Sequence, residues 1–139
     1  VLDIAKVIEK VIVGYQPDTI LTHSSSDLNI DHRQVLEGVL VARRPQPGCC
    51  VKRVASIEIP RATGWIPSVG KEFIPNYFVS LDQVDWQAKC AALNCYADEM
   101  RAFPHARSME GLDALSKYRG SSIGVERAEA IMMLRWIED

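Results

Sequence analysis

The feature that most constrains the fold is an alternation of helical and strand-like segments along the first half of the chain. Apolar residues recur at helical spacing over residues 2–14, and the short β-rich run 18–22 is apolar enough for an interior strand. A second helical pattern starts near Ile30 and ends before Pro45, and residues 50–59 then alternate as in a strand. This order predicts an α/β fold with a largely parallel sheet.

The second half of the chain predicts shorter elements. Residues 61–72 contain two glycines and a proline and predict an irregular loop, and residues 73–79 predict a strand whose Pro75 favours an edge position. A helix over residues 108–118 follows, and residues 125–137 fit either a helix or a strand followed by a helix. Between the strand over residues 73–79 and the helix over residues 108–118, we expect a long helix that is capped by Asp82 or Asp85 and runs to Met100. Its inward face is expected to consist of Trp86, Cys90, Leu93 and Tyr96 or Ala97.

Composition bounds the class of protein. The 139 residues are 47% hydrophobic and 24% charged, as in an ordinary soluble domain, and the formal net charge is −2. This charge gives no reason to expect a nucleic acid or an anionic membrane as partner. No apolar run approaches the roughly 20 residues of a transmembrane helix, and the charged first segment does not resemble a signal peptide. We therefore expect a cytoplasmic protein.

The four cysteines do not form a recognisable metal or redox motif. Cys49 and Cys50 are adjacent, and Cys90 and Cys95 lie five residues apart on a predicted helix. Neither spacing is the C-x-x-C of a zinc or redox site. We interpret them as reduced, partly buried thiols.

The segment richest in chemistry is T-I-L-T-H-S-S-S-D-L-N-I-D-H-R, residues 19–33. A strand leads into a polar loop and then into a helix, and ligand sites in α/β sheets lie at this end of the strands. Asn29 is a good N-cap, which places His32 at about the third helical position. Asp27 and Asp31 supply carboxylates for hydrogen bonding or for orienting a ligand. These residues alone define a candidate polar site, since a single histidine in a first helical turn is usually structural.

The run D-L-N-I-D-H-R, residues 27–33, preceded by T-H, resembles the second signature of the LmbE-like (PIG-L) family of zinc-dependent N-acetylglucosaminyl deacetylases. The runs F-P-H-A-R-S, residues 103–108, and R-G-S-S-I-G-V-x-x-A-E-A, residues 119–130, are also similar to that family. The resemblance follows the order of nearly the whole chain. It implies a Rossmann-like, largely parallel sheet with helices on both faces, and a single domain over residues 1–139 that lacks the N-terminal strand or strands.

The resemblance also implies an activity, the removal of an acetyl group from an N-acetylglucosamine-type sugar conjugate by zinc-activated water. In the family two histidines and one aspartate hold the zinc, and His32 matches the second histidine. The other ligands and the general base lie in an A-H-P-D-D motif, and no His-Pro-Asp-Asp occurs in this sequence. We therefore expect a C-terminal portion with an incomplete zinc site that is inactive by itself.

Further residues receive roles from the resemblance. Asn29 stands where many members have a histidine that stabilises the oxyanion, so its contribution should be weaker; Asp31, which would orient that histidine, serves here either catalysis or the helix end. His105 is a candidate catalytic substitute or a surface-loop histidine. Arg107 either binds a sugar hydroxyl or phosphate or is an ordinary surface residue. His23 either lines the substrate pocket or satisfies the loop backbone.

Alternatives remain open at this point. Trp65 either stacks on a sugar ring, covers an edge strand or serves a subunit contact. The chain could also be a non-catalytic homologue that binds a sugar or a protein partner, or a scaffold whose polar loop only caps a helix. Family members are often oligomeric, and a missing first strand would leave a sheet edge prone to association, so a homo-oligomer is a further candidate.

Overall fold

The computed structural model describes residues 1–60, 62–65 and 72–138. Four helices, four strands and one short 3-10 helix, Ala97–Glu99, form its regular structure. The helices are α1 (Leu2–Tyr15), α2 (Ile30–Ala42), α3 (Gln83–Asn94) and α4 (Met109–Ser121), and the strands are β1 (Thr19–Thr22), β2 (Arg53–Ile57), β3 (Tyr77–Ser80) and β4 (Ala128–Trp136).

The strands form one sheet in the order β1-β2-β4-β3, so the predicted α/β class is confirmed. Strands β1 and β2 pair in parallel, with Thr19 opposite Arg53 and Thr22 opposite Ser56. Strand β4 pairs antiparallel with β2, with a register shift between Val54 and Ala55. The sheet is therefore mixed. The chain divides into unit 1, Val1–Asn76 with Ile131–Asp139, and unit 2, Tyr77–Ala130.

The expected interior position of the first strand is wrong for the described residues, because β1 lies at the end of the sheet and pairs there only with β2. Its side chains alternate in burial, with Leu21 60% exposed. Ile20 packs against the core of unit 1. The apolar residues of this run therefore indicate that one face of β1 is covered. They do not indicate whether the strand pairs on one edge or on both.

The core of unit 1 lies where α1, α2 and the start of β2 meet. Gly38 allows the two helices to approach closely, since a Cβ at this position would lie 2.6 Å from Cγ2 of Ile4. The buried centre consists of Ile12, Val39, Val51 and Val54, and half-buried apolar residues surround it: Ile8, Ile20, Val35, Ala42, Cys49 and Cys50. This packing holds α2 against β1 and β2, the elements that flank the candidate site.

Helix α3 of unit 2 begins as predicted and ends early. Asp82 caps it, because its carboxylate accepts from the backbone N–H groups of Val84 and Asp85 at 2.8 and 2.9 Å. The expected extension to Met100 is wrong. The backbone N–H groups of Cys95 and Tyr96 donate to carbonyls three residues back, and the chain continues as a 3-10 turn. Trp86 is buried as expected, whereas Tyr96 is 66% exposed.

Helix α4 and strands β3 and β4 complete the regular structure. Ser108 caps α4 through its Oγ, 2.9 Å from the backbone nitrogen of Gly111, and residues 128–136 form a strand. The strand predicted over residues 73–79 is shorter, β3 at Tyr77–Ser80, and it lies at an end of the sheet as expected. Most of the predicted 61–72 loop lies outside the described residues. None of the described helices is long and apolar enough to cross a membrane. All four cysteines are free, and only Cys95 is exposed.

Candidate functional site

A buried turn connects β1 to α2. Ser24 and Ser26 are both fully buried, and their hydroxyl oxygens are 2.8 Å apart. The backbone N–H of Ser26 donates to Oγ of Ser24, and the backbone N–H of Asp27 donates to the Ser24 carbonyl. Polar groups in a buried turn are stable only when they are hydrogen-bonded. The serines therefore fix the path of the loop by bonding to one another.

Asp27 lies at the end of this turn with a fully buried carboxylate. Its Oδ1 accepts from the backbone N–H of Asn29 at 2.8 Å, and its Oδ2 lies 2.7 Å from Nδ1 of His32. The expected hydrogen-bonding role of Asp27 is confirmed. A carboxylate on one imidazole nitrogen sets the tautomer, restricts rotation of the ring, and leaves the other nitrogen, Nε2, as its remaining donor or acceptor.

The first turn of α2 has the predicted geometry. Oδ1 of Asn29 accepts from the backbone N–H of Asp31 at 2.9 Å, which makes Asn29 the N-cap and His32 the third helical residue. Asp31 is exposed in the first turn, where a carboxylate suits the helix dipole. Sequence reasoning did not single out Arg33, whose Nη1 donates to the carbonyls of Asp27 and Leu28 at 2.6 and 3.0 Å. Its sequence signals are a cation one turn after the polar loop and its place at the end of the D-L-N-I-D-H-R run.

His23 stacks on His32. Their ring centroids are 3.9 Å apart and their planes differ by 15°. Burial lowers the pKa of His23, the nearby His32 lowers it further, and Asp27 opposes both effects, so the ring is neutral at neutral pH. Nδ1 of His23 is buried and finds no hydrogen-bond partner among the described residues. This stacking could not be predicted from the sequence, because nothing in the spacing of residues 23 and 32 requires it.

The other two predicted site residues belong to unit 2. Nδ1 of His105 accepts from the backbone N–H of Arg107 at 3.0 Å. The guanidinium of Arg107 forms an ion pair with Glu99. Both side chains thus have structural partners within their own unit, and their catalytic and substrate-binding roles stay predictions. His23, Asn29, Asp31 and His32 lie together in unit 1.

The donor set at this site fits one metal-ligand position. His32, half-buried and held at Nδ1 by Asp27, has the carboxylate–histidine arrangement found behind metal-bound imidazoles. A catalytic zinc site needs three protein ligands. Across residues 1–60, 62–65 and 72–138, no three histidine, cysteine, aspartate or glutamate side chains group closely enough to hold a metal ion. The described residues therefore do not complete a metal site.

Solved structures share this fold. N,N'-diacetylchitobiose deacetylase from Pyrococcus horikoshii aligns with 97% of the chain and 52% of its own length, with a TM-score of 0.68 at 16% identity. The zinc-inhibited form of teicoplanin deacetylase Orf2 aligns with 99% of the chain and 52% of its own length, with a TM-score of 0.72 at 15% identity. The fold that the LmbE-like resemblance implies is confirmed.

A third neighbour has a different activity. GalB, the 4-carboxy-2-hydroxymuconate hydratase from Pseudomonas putida, aligns with 99% of the chain and 61% of its own length, with a TM-score of 0.70 at 21% identity. The chain thus spans between about half and three fifths of these neighbours. The sequence matches no family model and no curated protein. At these identities the similarity establishes the fold alone, since one fold can carry different reactions.

Proposed function

We propose that this chain forms part of a metal-dependent hydrolase that removes the acetyl group from an N-acetylglucosamine-type sugar conjugate. The observation that carries the proposal is the 2.7 Å contact between Oδ2 of Asp27 and Nδ1 of His32, at the carboxyl end of β1. Two neighbours with this fold are deacetylases, one of diacetylchitobiose and one of teicoplanin. The polar segment that resembles the family signature is also the segment that builds this pair.

In this proposal His32 is a ligand through Nε2, and Asp27 fixes its tautomer and restricts the rotation of its ring. A bound zinc ion would supply Lewis-acid chemistry, acting on the amide carbonyl and on the attacking water. The chain spans about half the length of the two deacetylases. The described residues supply one ligand of such a site, and the proposal assigns no residue of this sequence to the other ligands or to the general base.

Asn29 has a role that follows from its hydrogen bonding. Its Oδ1 accepts the capping bond from Asp31, so its Nδ2 amide is the group it can offer to a substrate. In an acetamide hydrolysis, negative charge develops on the carbonyl oxygen of the tetrahedral species, where a donor lowers the barrier. We propose that Asn29 donates to this oxygen. A neutral amide should do so more weakly than a charged imidazolium.

The test uses the native polypeptide that contains these residues, at its full length. Zinc content is measured by elemental analysis, and amine release is measured with N-acetylglucosamine conjugates. His32→Ala should lose both zinc and activity, whereas Gln34→Ala, an exposed change on the same helix, should keep both. Zinc content and activity unchanged in His32→Ala would refute the proposal.

A non-catalytic sugar-binding protein is the second candidate. The incomplete donor set of the described residues favours it. This candidate predicts a native polypeptide that binds N-acetylated sugars in calorimetry without releasing amine and without stoichiometric zinc. Zinc that is removed by a chelator together with the activity would exclude it. One neighbour with this fold is a hydratase. The amine-release assay separates the two reactions, because amide hydrolysis releases an amine and the addition of water to a double bond does not.

A further inference from the structure

The stacking contact between His23 and His32 restrains the plane of the His32 ring more closely than the Asp27 hydrogen bond does alone. The hydrogen bond at Nδ1 tolerates a range of donor–acceptor angles, so the His32 ring keeps some freedom to turn about its Cβ–Cγ bond. A flat group stacked at 3.9 Å and 15° blocks this rotation, because turning the ring would drive its edge into the neighbouring plane. The hydrogen bond thus restrains the position of Nδ1 of His32, and the stacking restrains the plane of its ring.

The backbone on both sides of His23 is well held. Thr22 is the last residue of β1 and is 5% exposed, and Ser24 is fully buried and bonded to Ser26. The strand pairs with β2 up to Thr22. The ring of His23 is thus carried by a paired strand end and a hydrogen-bonded turn, and such a rigid base is what a positioning group requires.

The face of the His23 ring, rather than its Nδ1, makes the contact with His32. Nδ1 is buried and has no hydrogen-bond partner in the part of the chain that the structure describes. Two parallel stacked imidazoles direct their nitrogen lone pairs within parallel planes, side by side. The rings are therefore not arranged to place nitrogens of both on one metal ion.

We propose that His23 is a positioning residue, whose stacked ring fixes the plane in which Nε2 of His32 presents its lone pair to a divalent cation. The inference rests on the proposed metal site. In it, the ring of His23 controls the plane of the ligand His32 by stacking. Groups that orient a metal ligand typically change metal affinity by about 10- to 100-fold when removed.

The first experiment measures Zn²⁺ affinity of the native polypeptide by competition with a chromophoric chelator. His23→Ala should weaken binding on the order of 10-fold, at the lower end of that range. His23→Phe keeps a flat ring and should bind nearly as tightly as the unaltered protein. His23→Asn keeps a polar atom near the Nδ1 position without a ring and should behave like His23→Ala. Ser25→Ala, an exposed change in the same loop, is the matched control.

Two results would overturn the inference. If Phe and Ala weaken binding equally while thermal melting shows both variants folded, a nitrogen of His23 is required and the residue is not a stacking platform. If Ala or Asn binds Zn²⁺ as tightly as the unaltered protein, the plane of His32 needs no help. Should His23→Phe fail to fold, the comparison of His23→Asn with the unaltered protein decides alone.

The second experiment does not depend on metal and separates this inference from the proposed function. In the metal-free polypeptide, NMR should show contacts between the ring protons of His23 and His32. The His32 ring signals should shift and broaden in His23→Ala and recover in His23→Phe. If the unaltered protein binds no zinc but shows this pattern, the proposed function and the positioning of a metal ligand both fail, and only the restraint of the His32 ring by stacking stands. If it binds zinc and the His32 signals are unchanged in His23→Ala, the positioning role fails while the proposed function stands.

Discussion

At the scale of single residues, Asp27 couples the loop to the helix. Its two carboxylate oxygens bond to the backbone N–H of Asn29 and to the ring of His32, while its own carbonyl accepts from Arg33. A fully buried carboxylate is stable only when its oxygens are bonded in this way. The same bonds that satisfy Asp27 therefore orient His32, so that the stability of the loop and the geometry of the site depend on one side chain.

Asn29 allows a prediction that separates capping from catalysis. Asn29→Ala removes the acceptor for the Asp31 N–H and should lower the free energy of unfolding by about 1 kcal/mol, measured in urea. Asn29→Asp keeps the acceptor and should be close to the unaltered protein in stability. In the native polypeptide Asn29→Asp should nevertheless release less amine, because a carboxylate cannot donate. Full activity in Asn29→Asp would refute the oxyanion role.

At the scale of elements, the carboxyl ends of β1 and β2 carry two buried hydroxyls. Thr22 and Ser56 are opposite each other in the register, and their hydroxyl oxygens are buried without a hydrogen-bond partner among the described residues. In parallel strands such partners face the same side of the sheet. The strand ends therefore present a small polar patch on one face.

The cost of this patch is measurable. Burying an unbonded hydroxyl is unfavourable, so Ser56→Ala should raise the free energy of unfolding by about 1 kcal/mol in urea titrations. The exposed Ser25→Ala should change it by less than about 0.5 kcal/mol. A loss of stability in Ser56→Ala would mean instead that the hydroxyl is bonded in solution.

Helix α4 carries an ion-pair cluster that makes stability depend on pH. The Lys117 ammonium donates to Asp113 at 2.6 Å and Arg127 donates at 3.0 and 3.1 Å, and these bonds hold the pKa of the Asp113 carboxyl below its usual value. A carboxyl whose pKa is lower in the folded than in the unfolded state stabilises the fold above the unfolded value. That contribution disappears as the pH falls through the folded pKa.

Asp113→Asn should therefore destabilise the protein at pH 7, by less than about 1 kcal/mol because the group is partly solvated. The difference from the unaltered protein should shrink as the pH is lowered below about 4. Urea unfolding at several pH values measures both effects. Asp3→Asn, which removes a carboxylate from an exposed pair on α1, is the control for the change in charge, and a difference between Asp113→Asn and the unaltered protein that persists at low pH would contradict the assignment.

At the scale of the whole molecule, the free edge of β1 should control association. Within the described residues β1 ends the sheet, and Leu21 is 60% exposed on it. Unpaired strand edges with apolar side chains recruit other strands. We expect the 139 residues alone to self-associate and to show little deacetylase activity, since they supply one oriented imidazole.

Leu21→Lys should shift these 139 residues towards monomer in sedimentation velocity, because a charged side chain on an edge strand opposes pairing. Gln34→Lys adds the same charge on the exposed side of α2 and should leave association unchanged. An equal effect of both substitutions would point to net charge instead of the strand edge. Association unaltered by Leu21→Lys would exclude β1 as the interface.

The local features of the site could be predicted from the sequence alone. The Asn29 cap, the third helical position of His32 and the strand–loop–helix order all follow from interactions over a few residues, namely helical periodicity and the bonding of an Asx side chain to the next backbone N–H groups. The hydrogen-bonding role of Asp27 is equally local, because its bonds to Asn29 and His32 span two and five residues.

Only the tertiary structure decided the rest. The end position of β1, the antiparallel pairing of β4 with β2 and the exposure of Tyr96 depend on contacts between distant segments or on a local tightening that periodicity does not report. The His23–His32 stacking is of the same kind, since it requires the buried serine turn to bring a strand end back onto a helix. Local sequence determines which groups are available to the site, and packing determines which of their faces and atoms meet.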